Sequence, residues 1–160
     1  MSSPSDPAPE PTAPSPVPEG YPTVIPYLVV PDGEGLIEFL EKAFGATLNS
    51  RTDTPSGRVM HAEISLGGSR IMLGESNEEW PPTRAMIHLY LPDVDGVYRR
   101  ALEAGATSLR EPETMFYGDR SGGVEDASGT QWWIATRVEE VSAEEMERRQ
   151  REGWTPEEER

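Results

Sequence analysis

The chain is 160 residues long, carries 29 acidic against 14 basic side chains for a formal net charge of −15, and has no cysteine. A surface this acidic repels phosphate backbones and anionic lipid, which argues against nucleic-acid and membrane partners, and the missing cysteines exclude disulfides, thiolate metal ligands and a thiol nucleophile. No apolar run is long enough to span a bilayer, and the N-terminus lacks the basic-then-apolar order of a secretory signal, so the expected setting is cytoplasmic.

Residues 1–20 are Pro, Ser, Ala and acid, with almost nothing to bury, and predict an unstructured Pro-rich tail. A strand is expected near 23–30, with Pro26 marking an edge. A helix over 33–44 follows from the apolar stripe Leu36, Phe39, Leu40, Ala43 and Phe44, with Asp32 as N-cap and Gly45 as stop. Strands at 47–53, 58–66 and 69–74 are separated by Thr54-Pro55-Ser56-Gly57 and Gly67-Gly68.

After a linker over 75–84 the order repeats. A strand at 85–91 leads to a helix at 94–104, with Val94, Val97, Ala101 and Leu102 facing inward. Strands follow at 106–111, 121–126 and 131–137. Ser142-x-x-Glu145 is a capping box opening a charged helix over 142–152. The copies align closely: Pro31-Asp32 answers Pro92-Asp93, and Gly45-Ala46-Thr47 answers Gly105-Ala106-Thr107. The chain therefore divides into a tail (1–20), a domain of two βαβββ modules (21–75 and 84–138) and a charged C-terminal helix and tail (139–160). The expected class is α+β, with two curved mixed sheets around a cleft, where a small molecule binds.

Strand alternation sorts the side chains. Met60, Ala62, Ile64 and Leu66 go to the helix side, and His61, Glu63 and Ser65 to the other. Ile87, Leu89 and Leu91 oppose Met86, His88 and Tyr90; Ile71 and Leu73 oppose Arg70 and Met72. Trp133 reaches the concave side if Trp132 and Ile134 lie beneath the helix.

The duplicated unit, the PYLVV start, MHAEISLGGSRIMLGES, IHLYLPDVD and FYGDRSGGVEDASGTQWW together resemble the vicinal-oxygen-chelate superfamily over about residues 20–150. That group includes glyoxalase I, extradiol dioxygenases, fosfomycin-resistance enzymes and bleomycin-resistance proteins. The likeness is closest to a glyoxalase-like branch sometimes labelled demethylubiquinone-methyltransferase-like. The resemblance implies a homodimer. It also implies that a metal would be held by His or Glu on the first and last strands of each unit. In this chain those places fall near Ile25 or Pro26, and at Met72, Met86 and Trp133. Thioether, indole and aliphatic groups do not replace oxygen or imidazole donors, so the expectation is no metal and no other cofactor, and neither glyoxalase I nor dioxygenase activity.

The residues left to act are few. His61 and Glu63 form either a base with its orienting carboxylate, two displaced metal ligands, or a polar pair bonded across the sheet. His88 is a second base candidate. Tyr90, Tyr117 and Trp133 offer stacking surface, Met72 and Met86 an adaptable wall, and Arg120 a partner for a ligand carboxylate or carbonyl unless it holds its own turn. The expected function is metal-independent binding of a small organic ligand, with a small-molecule isomerase or lyase as the alternative.

Overall fold

The computed structural model describes residues 13–156. Of the tail expected over 1–20, the first twelve residues lie outside the described part, and 13–20 form neither helix nor strand.

Unit one runs β1 (Tyr27–Val30), α1 (Gly33–Phe44), β2 (Thr47–Asp53), β3 (Val59–Leu66) and β4 (Ser69–Glu75). Unit two runs β5 (Met86–Tyr90), α2 (Val94–Glu103), β6 (Thr107–Thr114), β7 (Asp119–Glu125) and β8 (Gln131–Arg137). A last helix, α3 (Ala143–Glu152), follows. Each unit is a four-stranded mixed sheet, ordered β1-β4-β3-β2 in one and β5-β8-β7-β6 in the other, with its first strand parallel to its last. The expected α+β class with two βαβββ modules is the one observed.

The Pro-Asp signals work as caps. Asp32 accepts from Gly35 N at 2.9 Å and Asp93 from Gly96 N at 3.2 Å, which opens α1 and α2. Gly45 closes α1 in the left-handed region at φ 67°. The apolar stripes then bury: Leu36, Phe39, Leu40, Ala43 and Phe44 pack on Leu28, Ile64 and Leu73, while Val94, Val97 and Ala101 pack with Val124, Trp132 and Ile134. The helices pack against each other. Phe44 of α1 reaches Trp132 of β8 at 5.2 Å between ring centroids. One core therefore serves both units, and each sheet keeps one helix-free face.

Three local expectations are corrected. Met60 is not a core residue: the pairing of β2 with β3 slips between Thr52 and Asp53, so Val59 takes the buried place and Met60 bulges out, 54% exposed. β6 extends to Thr114 through Pro112, which an edge strand tolerates. β7 begins at Asp119, two residues before the expected start, so the 116–120 stretch is a turn of three residues followed by strand.

Candidate functional site

On the open face of unit one, β3, β4 and the segment before β1 build a closed polar network. Tyr21 donates its hydroxyl to Glu63 Oε2 at 2.6 Å, and Arg70 Nη1 donates to the same oxygen at 2.7 Å. The Arg70 guanidinium stacks 4.0 Å over the Tyr21 ring. His61 Nε2 lies 3.5 Å from Glu63 Oε1, and its Nδ1 is 3.1 Å from the Tyr27 hydroxyl. The Tyr21 hydrogen bond, with lesser help from His61 and Arg70, holds the Glu63 carboxyl below its ordinary value. The same bond pushes the Tyr21 phenol up, and burial pushes Tyr27 up. Tyr27 has room because residue 74 is glycine: a Cβ there would lie 2.9 Å from the Tyr27 hydroxyl and 2.7 Å from the Met60 carbonyl. Met72 is half-buried between Tyr27 and Glu63, its Cα partners on the neighbouring strands.

The open face of unit two is built differently. Backbone register places His88 opposite Trp133, Trp133 opposite Gly123, and Gly123 opposite Arg110, one row across all four strands. Trp132 and Ile134 are fully buried on the helix side, so the half-buried Trp133 faces outward. Its indole lies across Gly123, where a Cβ would come within 2.6 Å of Cζ3. The Arg110 guanidinium carbon is 5.0 Å from the indole centroid, and its Nη2 donates to the carbonyl and hydroxyl of Ser121.

Beside this row, Tyr90 donates its hydroxyl to the buried Asp119 at 2.7 Å, a bond that pushes the Tyr90 phenol up. His88 meets Tyr90 edge-on at 4.8 Å. Tyr117 packs edge-to-face on Phe116 at 5.2 Å and adds to the upward push on Tyr90. Its turn is braced by Gly118, whose carbonyl accepts from Val138 N and Glu139 N, and by Arg149 of α3, whose Nη1 donates to the Phe116 carbonyl at 3.0 Å. Met86 stands 69% exposed at the start of β5.

Arg120 is not in this group. The early start of β7 reverses its parity and sends it to the helix side, where Nε and Nη2 grip Asp95 of α2 at 2.8 and 2.9 Å. The bidentate contact holds Asp95 below its ordinary value. Arg120 ties sheet to helix. The cation beside Trp133 is Arg110, while Arg137 stands opposite Asp119 at the far end of β8.

A groove lies where the segment ahead of β1 and the β3–β4 turn border β5. Its volume is about 470 Å³, and it is lined by Pro22, Val24 and Pro26 ahead of β1, by Arg70, and by His88 and Tyr90 on β5. Among the described residues, no hydrogen bond, ion pair or ring contact joins the His61–Glu63 network to His88. The expected candidates thus fall into two clusters: His61, Glu63 and Met72 in one, and His88, Tyr90, Tyr117 and Trp133 in the other.

Sequence reasoning missed Tyr21, Tyr27 and Arg110, gave Asp119 only a part in holding its turn, and gave Arg70 a face without a role. Only Arg110 left a usable signal, as the basic residue of a polar edge strand.

The fold is shared with known proteins. The model of the Glyoxalase/Bleomycin resistance protein/Dioxygenase superfamily matches residues 22–134, and the chain belongs to that family. It is similar to the uncharacterized protein Rv0887c of Mycobacterium tuberculosis, 34% identical over 137 residues that span 79% of this chain and 81% of that protein. Among solved structures it resembles TioX from Micromonospora sp. ML1, with a TM-score of 0.63 at 23% identity over 71% of this chain and 97% of that one. It also resembles a putative 3-demethylubiquinone-9 3-methyltransferase, PhnB protein, from Bacillus cereus, with a TM-score of 0.57 at 17% identity over 72% and 99%. At these identities the structures share the fold.

The metal ion that the family implies does not suit the residues present. The ligand places implied by the resemblance fall at Ile25 or Pro26, Met72, Met86 and Trp133, and none of these side chains supplies an oxygen or imidazole donor. Glu63, beside Met72, already accepts from Tyr21 and Arg70. Among the described residues no group of three His, Cys, Asp or Glu is placed to hold an ion.

Proposed function

We propose that this protein binds a small organic molecule without a metal, on the open faces that border this groove. The observation that carries this reading is the Trp133 platform: an indole laid across Gly123 and bordered by His88 and Arg110. An aromatic floor beside a 470 Å³ groove suits a flat ligand better than it suits an ion. The test is calorimetric titration of chelator-treated protein with a panel of planar aromatics and glycopeptides. Binding that survives chelation is expected. No heat and no thermal shift with any compound, or binding that returns only with stoichiometric metal, would overturn it.

A second reading rests on the chain Tyr27–His61–Glu63. An ionised Glu63 holding the Nε2–H tautomer of His61 leaves Nδ1 as the acceptor nitrogen, where the Tyr27 hydroxyl now sits and a substrate proton would have to replace it. This is the arrangement of a small-molecule isomerase or lyase. It predicts a bell-shaped rate profile, and undiminished turnover in His61→Ala would exclude it.

Both readings include a homodimer, because Tyr27, Met86 and Tyr90 leave apolar surface 47%, 69% and 65% exposed on the open faces. A monomer in sedimentation at micromolar concentration would remove that part.

A further inference from the structure

The row across unit two has a charge pattern as well as a shape. Trp133 is flanked by an imidazole on β5 and a guanidinium on β6, and no carboxylate stands in the row. Carboxylates stand around the row: Glu125 lies two residues along β7 from Gly123, opposite Gln131. Asp119 is buried and accepts from Tyr90, while Glu113 sits 3.5 Å from Arg110 Nε with a side chain 55% exposed to water.

Arg110 is fixed at one end and open at the other. Nη2 is anchored on Ser121, Nε is buried without a hydrogen-bond partner, and Nη1 makes no hydrogen bond among the described residues. A guanidinium pinned in this way presents its remaining N–H groups in a set direction, at little entropic cost on binding. In a chain of net charge −15, a guanidinium beside an indole, with only the long, water-exposed contact to Glu113 as ion pair, is a selective feature.

We infer that the ligand taken at this face is a flat aromatic anion: an aryl carboxylate or a compound of like charge and shape. Its ring stacks on Trp133, and its anionic group accepts from Arg110 Nη1. This rests on the binding reading above and narrows it. A neutral aromatic keeps the stacking and loses the charge-assisted hydrogen bond, which costs about tenfold or more in affinity. An aromatic cation meets Arg110 as a like charge and binds more weakly still.

The test is calorimetric titration of the full chain with 2-naphthoate, 2-naphthamide and 2-naphthylmethylammonium. Naphthoate is expected to bind about tenfold or more tighter than the amide, and the ammonium weakest. Arg110→Gln should level the acid and the amide, Arg110→Lys should keep part of the preference, and Trp133→Ala should weaken both. Because the ligand series on the unaltered protein decides the charge preference, an unfolded variant does not blunt the test. Equal affinity for acid and amide, or preference for the cation, overturns this inference and leaves the binding reading standing. A preference that persists in folded Arg110→Gln overturns the assignment to Arg110. No binding by any of the three overturns the inference, and the wider panel then decides separately whether the protein binds small molecules at all.

Discussion

Asp126 satisfies the indole N–H of the tryptophan that enters the core. It stands in the β7–β8 turn, 7% exposed, and its carboxylate is fully used. Oδ1 accepts from Ser128 N at 2.8 Å, from Thr130 N at 3.1 Å and from the Ser128 hydroxyl, and Oδ2 accepts from Trp132 Nε1 at 2.8 Å. Thr130 and Trp132 are both fully buried. In Asp126→Ala the Thr130 amide and the Trp132 indole N–H lose their acceptor where water does not reach, whereas the half-buried Ser128 groups can turn to solvent.

Two orphaned buried donors at about 1–3 kcal/mol each come to about 2–6 kcal/mol, against a whole-domain stability of about 5–15 kcal/mol. Urea denaturation should show the midpoint falling by about 1–3 M at an unchanged slope. Asp126→Asn keeps an acceptor and should lose about half as much. The pairing with Trp132 is checked by a double-mutant cycle with Trp132→Phe, in which the two losses should fail to add. A loss below about 1 kcal/mol in Asp126→Ala, with additive behaviour in the cycle, would refute the role given to the carboxylate.

Three further outcomes are expected. Gly123→Ala forces Trp133 off the sheet, since the new Cβ would meet three ring carbons at 2.6–2.8 Å; a cost of about 1–3 kcal/mol in thermal or urea melts should accompany loss of aromatic-ligand binding in calorimetry. Tyr21→Phe removes the largest cause of the Glu63 depression. A carboxyl whose folded value is depressed adds stability above its unfolded value and loses it as pH falls through the folded one, so in acid titrations the variant should begin to weaken at a higher pH than the parent. Arg149→Ala cuts the ties from α3 to the Phe116 carbonyl and Glu139 and the stacking on Trp154; hydrogen exchange should quicken across Ala143–Glu152 and in the 115–118 turn while the two sheets stay protected.

The duplication made the fold legible. Pro31-Asp32 and Pro92-Asp93 mark the same event twice, and both aspartates cap helices whose apolar stripes are buried as the spacing requires. The site was legible only where strand parity was regular. On β5 the alternation was clean, and Met86, His88 and Tyr90 share the open face as read. On β3 a bulge exchanged Met60 for Val59, and two neighbouring apolar residues carry no mark of which one enters the core. The two arginines were confused for a related reason. Arg120 lies on β7, whose start the Gly-rich turn disguised; Arg110 lies on β6, where slips in pairing around Arg110 and Glu113 break the alternation. Tyr21 was out of reach of pattern reasoning, because it arrives from coil to meet Glu63, 42 positions away.

Equivalent rows of the two units set different chemistry on the same scaffold. Unit one places Tyr27, Met72, Glu63 and Ser50 across its strands where unit two places His88, Trp133, Gly123 and Arg110. In the first row Glu63 already has Tyr21, Arg70 and His61 around it. A ligand competing for that carboxylate must break charge-assisted bonds to gain its own, so the row gains little by binding. In the second row the glycine lets the indole lie flat, and Arg110 keeps Nη1 without a hydrogen bond among the described residues. A ligand there adds contacts without displacing any. On the proposed reading this asymmetry, rather than the symmetry of the fold, directs the ligand to unit two and leaves unit one to shape the groove through Arg70 and the segment ahead of β1.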